Sequence, residues 1–240
     1  MRSALTCLVF ASSLAFLPGA AAGQQHLSQA DIEAMAAHMK LTPKRGANSA
    51  DSLRAENLVG ELRESIAKYR DVSVAVKDGF RQFAPELKEQ RVYHFTNYGW
   101  ALRNAFRFDS RRPTSLLYEK DAAGKFVLVG AMYTAPRRFT LEQLDRRVPL
   151  SVAQWHKHVN WCLPPRRNDP SGWLERRNGR PVFGPLGVST RAECEAAGGR
   201  FMPEVFGWMV HASVFAGDDP RVIWGDDHGM SGEEMLDHRH

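Results

Sequence analysis

Cysteine is scarce, with 3 in 240 residues. Cys7 lies inside an apolar run near the start, so a chain processed beyond that run keeps only Cys162 and Cys194. Neither belongs to a C-x-x-C pair, which weighs against a thiolate zinc site. In an oxidising compartment the two most simply form a disulfide, contributing roughly 3–4 kcal/mol by the loop-entropy relation. Long apolar runs are also lacking. The stretch from Ala4 to Leu17 falls short of the ~20 residues that cross a bilayer, and no other segment approaches that length. Integral membrane association is therefore not expected. H-E-x-x-H, G-x-S-x-G and the phosphate-cradling G-x-x-x-x-G-K-[ST] are all missing, which leaves zincin, serine-hydrolase and P-loop chemistry without a motif. A strong charge bias is missing too. Lys and Arg number 32 against 27 for Asp and Glu, a net charge of +5, and no nucleic-acid partner is expected from so mild an excess.

What is present begins with an export signature. Met1 and Arg2 precede the apolar run, Pro18-Gly19 breaks it, and Ala20-Ala21-Ala22 supplies small residues for cleavage near Ala22. Residues 1–22 thus read as a signal peptide, with the mature protein periplasmic or secreted. Residues 23–90 read as a helical region packed on the core. Ile32, Met35, Ala36 and Met39 form a short amphipathic segment, and Thr42 to Ala50 reads as a linker. Leu58, Val59, Leu62, Ile66 and Tyr69 recur at steps of three and four, after start signals at Asn48 and Asp51 and before a left-handed stop at Gly79.

From residue 91 to 228 the pattern changes to short β-rich runs: Val92 to Thr96, Ser115 to Glu119, Phe126 to Tyr133, Gln154 to Trp161, Gly207 to Phe215 and Arg221 to Trp224. Asp121-Ala122-Ala123-Gly124 reads as a hairpin turn. Short strands without repeating helices predict an α+β protein, an antiparallel β-sandwich or small barrel with a helical N-terminal cover. Arg166 to Arg200 reads as an excursion fastened by the Cys162–Cys194 bridge, and 229–240 as a flexible tail.

The chemistry-bearing residues are histidines within strands. In Trp155-His156-Lys157-His158-Val159-Asn160-Trp161, period-two alternation sends His156, His158 and Asn160 to one face and Trp155, Lys157, Val159 and Trp161 to the other. Two such imidazoles can share one ion at bond lengths of about 2.0–2.1 Å. In the run Gly207 to Phe215, His211 opposes a plain core face of Trp208, Val210, Ala212 and Val214. His94 lies within a third apolar run. His94, His156, His158 and His211 are the candidate ligands, and Glu119, ending a strand, is the candidate additional carboxylate. The bland alternative is that each is a hydrogen-bonded structural residue, the commoner fate of a lone strand histidine. His26, His38, His228, His238 and His240 lie near the termini or in polar segments and are expected to be solvated.

Such a nitrogen-rich set suits one divalent transition metal ion, with zinc, copper, iron, nickel and manganese not distinguished by residue type. Three ligands would leave a position for water or substrate, whereas four would close the ion. The paired arginines, Arg111-Arg112, Arg137-Arg138, Arg146-Arg147, Arg166-Arg167 and Arg176-Arg177, read as solvated loop charges or as an anion-binding surface.

The combination of His94-Phe95-Thr96-Asn97-Tyr98-Gly99, His156-Lys157-His158-Val159-Asn160-Trp161-Cys162 and Gly207-Trp208-Met209-Val210-His211 resembles an uncharacterised group of secreted bacterial proteins. That resemblance covers most of the chain from about Tyr69 onward and carries no activity with it. The H-x-H pair and later histidine also resemble cupins loosely, although the cupin glutamate a few residues after the pair has no counterpart. The expectation is a secreted metal-binding protein with a mononuclear histidine site, either a metalloenzyme acting on a small or carbohydrate-like substrate or a non-catalytic metal carrier. The alternative is a metal-free extracytoplasmic binding module for an anionic glycan or envelope partner.

Overall fold

The computed structural model describes residues 29–85, 90–165 and 170–225. The expected signal peptide (1–22), the tail (229–240), Arg166-Arg167, His26, His228, His238 and His240 lie outside the described residues.

The N-terminal region carries α1 (Gln29–Ala37), β1 (Met39–Leu41), α2 (Ser49–Ile66), α3 (Val72–Lys77) and β2 (Arg81–Gln82). Next come β3 (Tyr93–Thr96), α4 (Tyr98–Phe106), β4 (Ser115–Lys120), β5 (Phe126–Ala135), α5 (Leu141–Asp145) and β6 (His156–Leu163). The chain ends with β7 (Arg176–Arg177), β8 (Arg180–Pro181), α6 (Arg191–Ala196), β9 (Arg200–Glu204), β10 (Trp208–Ala212) and α7 (Pro220–Ile223). The described strands form an eight-stranded antiparallel sheet in the order β1-β6-β10-β5-β4-β3-β2, with β9 also on β6, and a β7-β8 ribbon. This is the expected α+β, sheet-dominated architecture. The helical N-terminal region does more than cover it, because β1 and β2 supply the strands at the two ends of that order. Met39, expected to continue the α1 pattern, instead opens β1 opposite His158.

Helix α2 forms where the periodicity and the cap agree. The Asn48 side chain accepts from the Asp51 amide at 2.9 Å, satisfying one of the orphan amides of the first turn. Val59, Leu62 and Ile66 are buried in one core with Leu116, Tyr118, Ala131, Tyr133 and Val210. Each such aliphatic side chain contributes about 1.5–3 kcal/mol by leaving water. Tyr118 donates its hydroxyl to the Tyr69 carbonyl at 2.7 Å, locking the helical region to β4. The Asp121 carboxylate accepts from the amides of Ala123 and Lys125, and Gly124 has φ +77°, making the expected β4–β5 turn. Gly130 is required by close approach, since a Cβ there would meet the Ala212 carbonyl oxygen and lie 2.8 Å from Ser213 Cα.

Two local expectations change. Arg221 to Trp224, read as a strand, belongs to α7 and its cap: the Asp219 carboxylate accepts from the Arg221 amide at 2.8 Å and Pro220 starts the helix. A cap followed by proline is a helix start signal that outweighs the β-leaning composition of four residues. His38 is buried rather than solvated. Its Nε2 lies 2.9 Å from the Gly187 carbonyl and its Nδ1 3.3 Å from that of Val159, which ties α1 to the disulfide-linked excursion. The Cys162–Cys194 bridge is formed, and beside it Val182 and Phe183 make a small separate core.

Candidate functional site

The sheet divides cleanly by face. Tyr93, Phe95, Leu116, Tyr118, Trp208, Val210 and Ala212 belong to the main core, while Leu117, Met132 and Met209 form a separate cluster on the opposite side. Alternation puts His94 and His211 on that second side, as does His156, which pairs with Met209 across β6 and β10. In the strand order β3 lies three strands from β10, so a flat sheet would hold them about 14 Å apart at 4.7–4.9 Å per strand. The rings of His94 and His211 are nevertheless 5.5 Å apart, centre to centre. The sheet therefore curls towards the histidine side. Phe83, just after β2, accordingly meets Phe206, just before β10, at 5.9 Å.

The four strand histidines converge as a series. His94 adjoins His211, His211 lies 5.1 Å from His156, and His156 lies 5.6 Å from His158. His156 and His211 are buried, while His94 and His158 are half-buried. Imidazoles sharing one tetrahedral ion at bonds of about 2.0–2.1 Å hold their ring centres roughly 5 Å apart. The same spacing also suits edge-to-face ring packing, and the His156–His211 and His156–His158 ring planes cross at 81° and 75°. Among the described residues, no group of three or more His, Cys, Asp or Glu side chains is arranged so as to hold an ion. Convergence on one centre would require the rings to turn about their side-chain torsions, which for a histidine χ2 is a broad, soft coordinate. Glu119 is exposed, faces Val127 across the hairpin and lines no part of the histidine cavity. Its strand runs past the site into solvent, so it is not brought to the cluster.

Above the cluster opens a cavity of about 460 Å³, to which His94, His158 and His211 contribute. Its walls are chiefly apolar, with Met132, Met209, Trp161 and Phe206 on the sheet side. Ala101 and Ala105 of α4 line it as well. Two hydroxyl pairs stand among them, Thr96 with Ser115 at 2.8 Å and Thr114 with Thr134 at 2.9 Å. Trp161 departs from the expected alternation. Strict alternation sets it opposite His158, yet the two rings lie 5.2 Å apart and both line the cavity. Asn160, between them in sequence order, has φ +57°, a left-handed conformation that asparagine tolerates better than most residues. It interrupts the pleat so that Trp161 returns to the histidine side, and its amide donates to the Ala37 carbonyl at 3.0 Å. The Trp161 Nε1 is buried without a hydrogen-bond acceptor among the described residues.

On the core side, the expected alternation holds for Lys157. It is buried, donates to the Arg137 carbonyl at 2.9 Å, and stands 4.4 Å from the Trp208 ring and 3.3 Å from Glu204. Phe83 and Phe206 belong to the cavity without any sequence signal, because both lie outside regular strands. Met209 is legible in the sequence, since alternation sets it on the His211 side.

No helix among the described residues is long and apolar enough to cross a membrane. No protein-family model matches the chain, and no curated protein or solved structure matches it.

Proposed function

We propose that this is an exported metal-binding protein whose curled sheet holds one divalent transition metal ion on His156, His211 and His94, with His158 as a fourth or exchanging ligand. The reading rests on one observation, the series of ring spacings from 5.1 to 5.6 Å linking imidazoles from three separate strands. The donor set fits a borderline transition metal, since neutral imidazole nitrogen suits zinc, copper, iron or nickel alike. With three ligands, the bound ion would supply a Lewis-acid centre open to water or substrate. The chain's own contribution is the cavity above it. Met132, Phe206 and Trp161 exclude water, and the Trp161 indole offers a donor to a small, mainly apolar molecule carrying one acceptor. This favours a small-molecule substrate over an extended glycan at this site.

The test is metal content. Protein purified from the extracytoplasmic fraction should carry close to one transition metal ion per chain by elemental analysis. The His156→Ala/His158→Ala double variant should carry less than about a tenth of that, while His94→Ala alone reduces retention during dialysis against a mild chelator. Equal metal in the wild type and the double variant, with unchanged circular dichroism, overturns the proposal.

A further inference from the structure

A second concavity, of about 970 Å³, opens between α2, α4, the segment after α4 and the end of α5. Six arginines line it, Arg54, Arg103, Arg107, Arg112, Arg146 and Arg147, against two carboxylates, those of Glu61 and Asp109. Both carboxylates are already engaged. Asp109 accepts from the Arg111 amide at 3.0 Å and pairs with Arg112 at 3.5 Å, and Glu61 accepts from the Ser110 hydroxyl. Arg54 is held by Asp51 at 3.2 Å. Arg103, Arg107, Arg146 and Arg147 make no ion pair among the described residues.

Arg147 is the telling member. Only 7% exposed, it donates to the carbonyls of Thr134 at 3.2 Å and Ala105 at 3.5 Å, and its guanidinium lies 4.6 Å from the Phe139 ring. Those contacts occupy two of its five N–H donors and include no anion. Burial alone pushes its pKa down, yet arginine stays charged at any ordinary pH. A buried cation surrounded by carbonyl dipoles and ring faces is solvated only in part, so a counter-charge in the cleft lowers its free energy. Phe106, 84% exposed, adds a bare aromatic face to the same cleft.

We propose that this cleft binds a compact organic anion, a phosphate- or carboxylate-bearing ring compound, with Arg147 as its buried anchor, Arg103, Arg107 and Arg146 as its rim and Phe106 as its stacking face. The cleft shares no lining residue with the histidine cavity, although the Thr134 and Ala105 carbonyls that hold Arg147 belong to residues of that cavity's wall. Guanidinium matches phosphate and carboxylate alike through paired N–H donors, and the aromatic face takes the flat side of the ring.

Calorimetry on the full chain at low salt, titrating glucose 6-phosphate, galacturonate, neutral glucose and inorganic phosphate, tests this. Either anionic sugar should bind, the tighter one identifying the anionic group, while glucose gives no heat. The exposed double variant Arg103→Gln/Arg107→Gln should keep the wild-type melting temperature and bind about tenfold or more weakly. Added salt should weaken binding through screening of the rim, and Phe106→Ala should weaken the sugars but not phosphate. No binding of either anionic sugar, undiminished binding by the double variant, or phosphate binding as tightly as glucose 6-phosphate would each overturn the proposal.

Discussion

Helix α4 stands between two cavities of opposite chemistry, and its sequence shows how one short helix serves both. Tyr98, Ala101 and Ala105, spaced three and four apart, turn towards the histidine cavity. Trp100, Arg103 and Asn104 fall on the neighbouring face and line the arginine cleft with Arg107. This is the helical periodicity that normally separates core from solvent, used instead to separate an apolar chamber from a cationic one. On one side small residues leave room and hydroxyls pair with each other. On the other, long cations outnumber their carboxylates. The lesson is that charge excess at +5 over the whole chain says little about local field, because four arginines that make no ion pair among the described residues gather at one cleft.

The largest effect should come from cutting the disulfide. Cys162 directly follows Trp161 on β6, so the bridge steadies one wall of the histidine cavity and touches nothing in the arginine cleft. Cys162→Ala/Cys194→Ala should lower stability by roughly 3–4 kcal/mol, read by urea denaturation. It should weaken occupancy of the histidine cavity while leaving anion affinity within twofold. A loss smaller than about 1 kcal/mol would mean that the satellite core of Val182 and Phe183 holds the excursion without covalent help.

A sharper separation comes from filling one cavity. Ala101→Trp places a bulky side chain on the α4 face that lines the histidine cavity. Binding of a neutral fluorescent probe such as Nile red should fall about tenfold or more, and the enthalpy of glucose 6-phosphate binding should not move. If both responses fall together, the two cavities communicate through α4 and the division by helical face is not functional.

Much of this arrangement was legible in the residues. Alternation places His211 opposite a core face of Trp208, Val210, Ala212 and Val214 and sets His156 and His158 together on one face of their strand, and compartment logic pairs Cys162 with Cys194. What escaped has physical reasons. The curl of the sheet, which brings His94 within 5.5 Å of His211, is a cumulative tertiary property that no single strand encodes. Trp161 changed sides because one residue, Asn160, took a left-handed conformation, which alternation alone does not anticipate. His38 was misplaced because a polar neighbourhood in sequence need not be a wet one in space. The arginine cleft draws on α2, α4 and α5, so its members lie more than 90 residues apart, and only Arg146-Arg147 and Arg112 stood in the pairs that sequence singled out.

The smallest expected effect concerns acid and the scaffold of the arginine cleft. Asp51 is held below its ordinary carboxylate value of 3.8, first by the hydrogen bond from Arg45 and then, against the opposing effect of burial, by that from the Ser151 hydroxyl. Its oxygens lie 2.8 Å from Arg45 and 2.9 Å from Ser151, joining the start of α2 to the segment before β6. A carboxylate whose folded pKa is depressed contributes stability that is complete above the unfolded value and disappears as pH falls through the folded one. The wild type should therefore keep its melting temperature down to about pH 5 and lose it below about pH 4. Asp78, lowered chiefly by its hydrogen bond from Lys68, adds to the same decline. Asp51→Asn should melt lower at pH 7 and show a shallower acid decline, because the titrating pair is gone. It should also let Arg54 drift from the cleft wall, weakening anion binding slightly and leaving the histidine cavity unaltered. An acid limb identical to that of the wild type would show that Asp51 is not the group that titrates, and would move the origin of the decline to the other lowered carboxylates, Asp78 at the end of α3 among them.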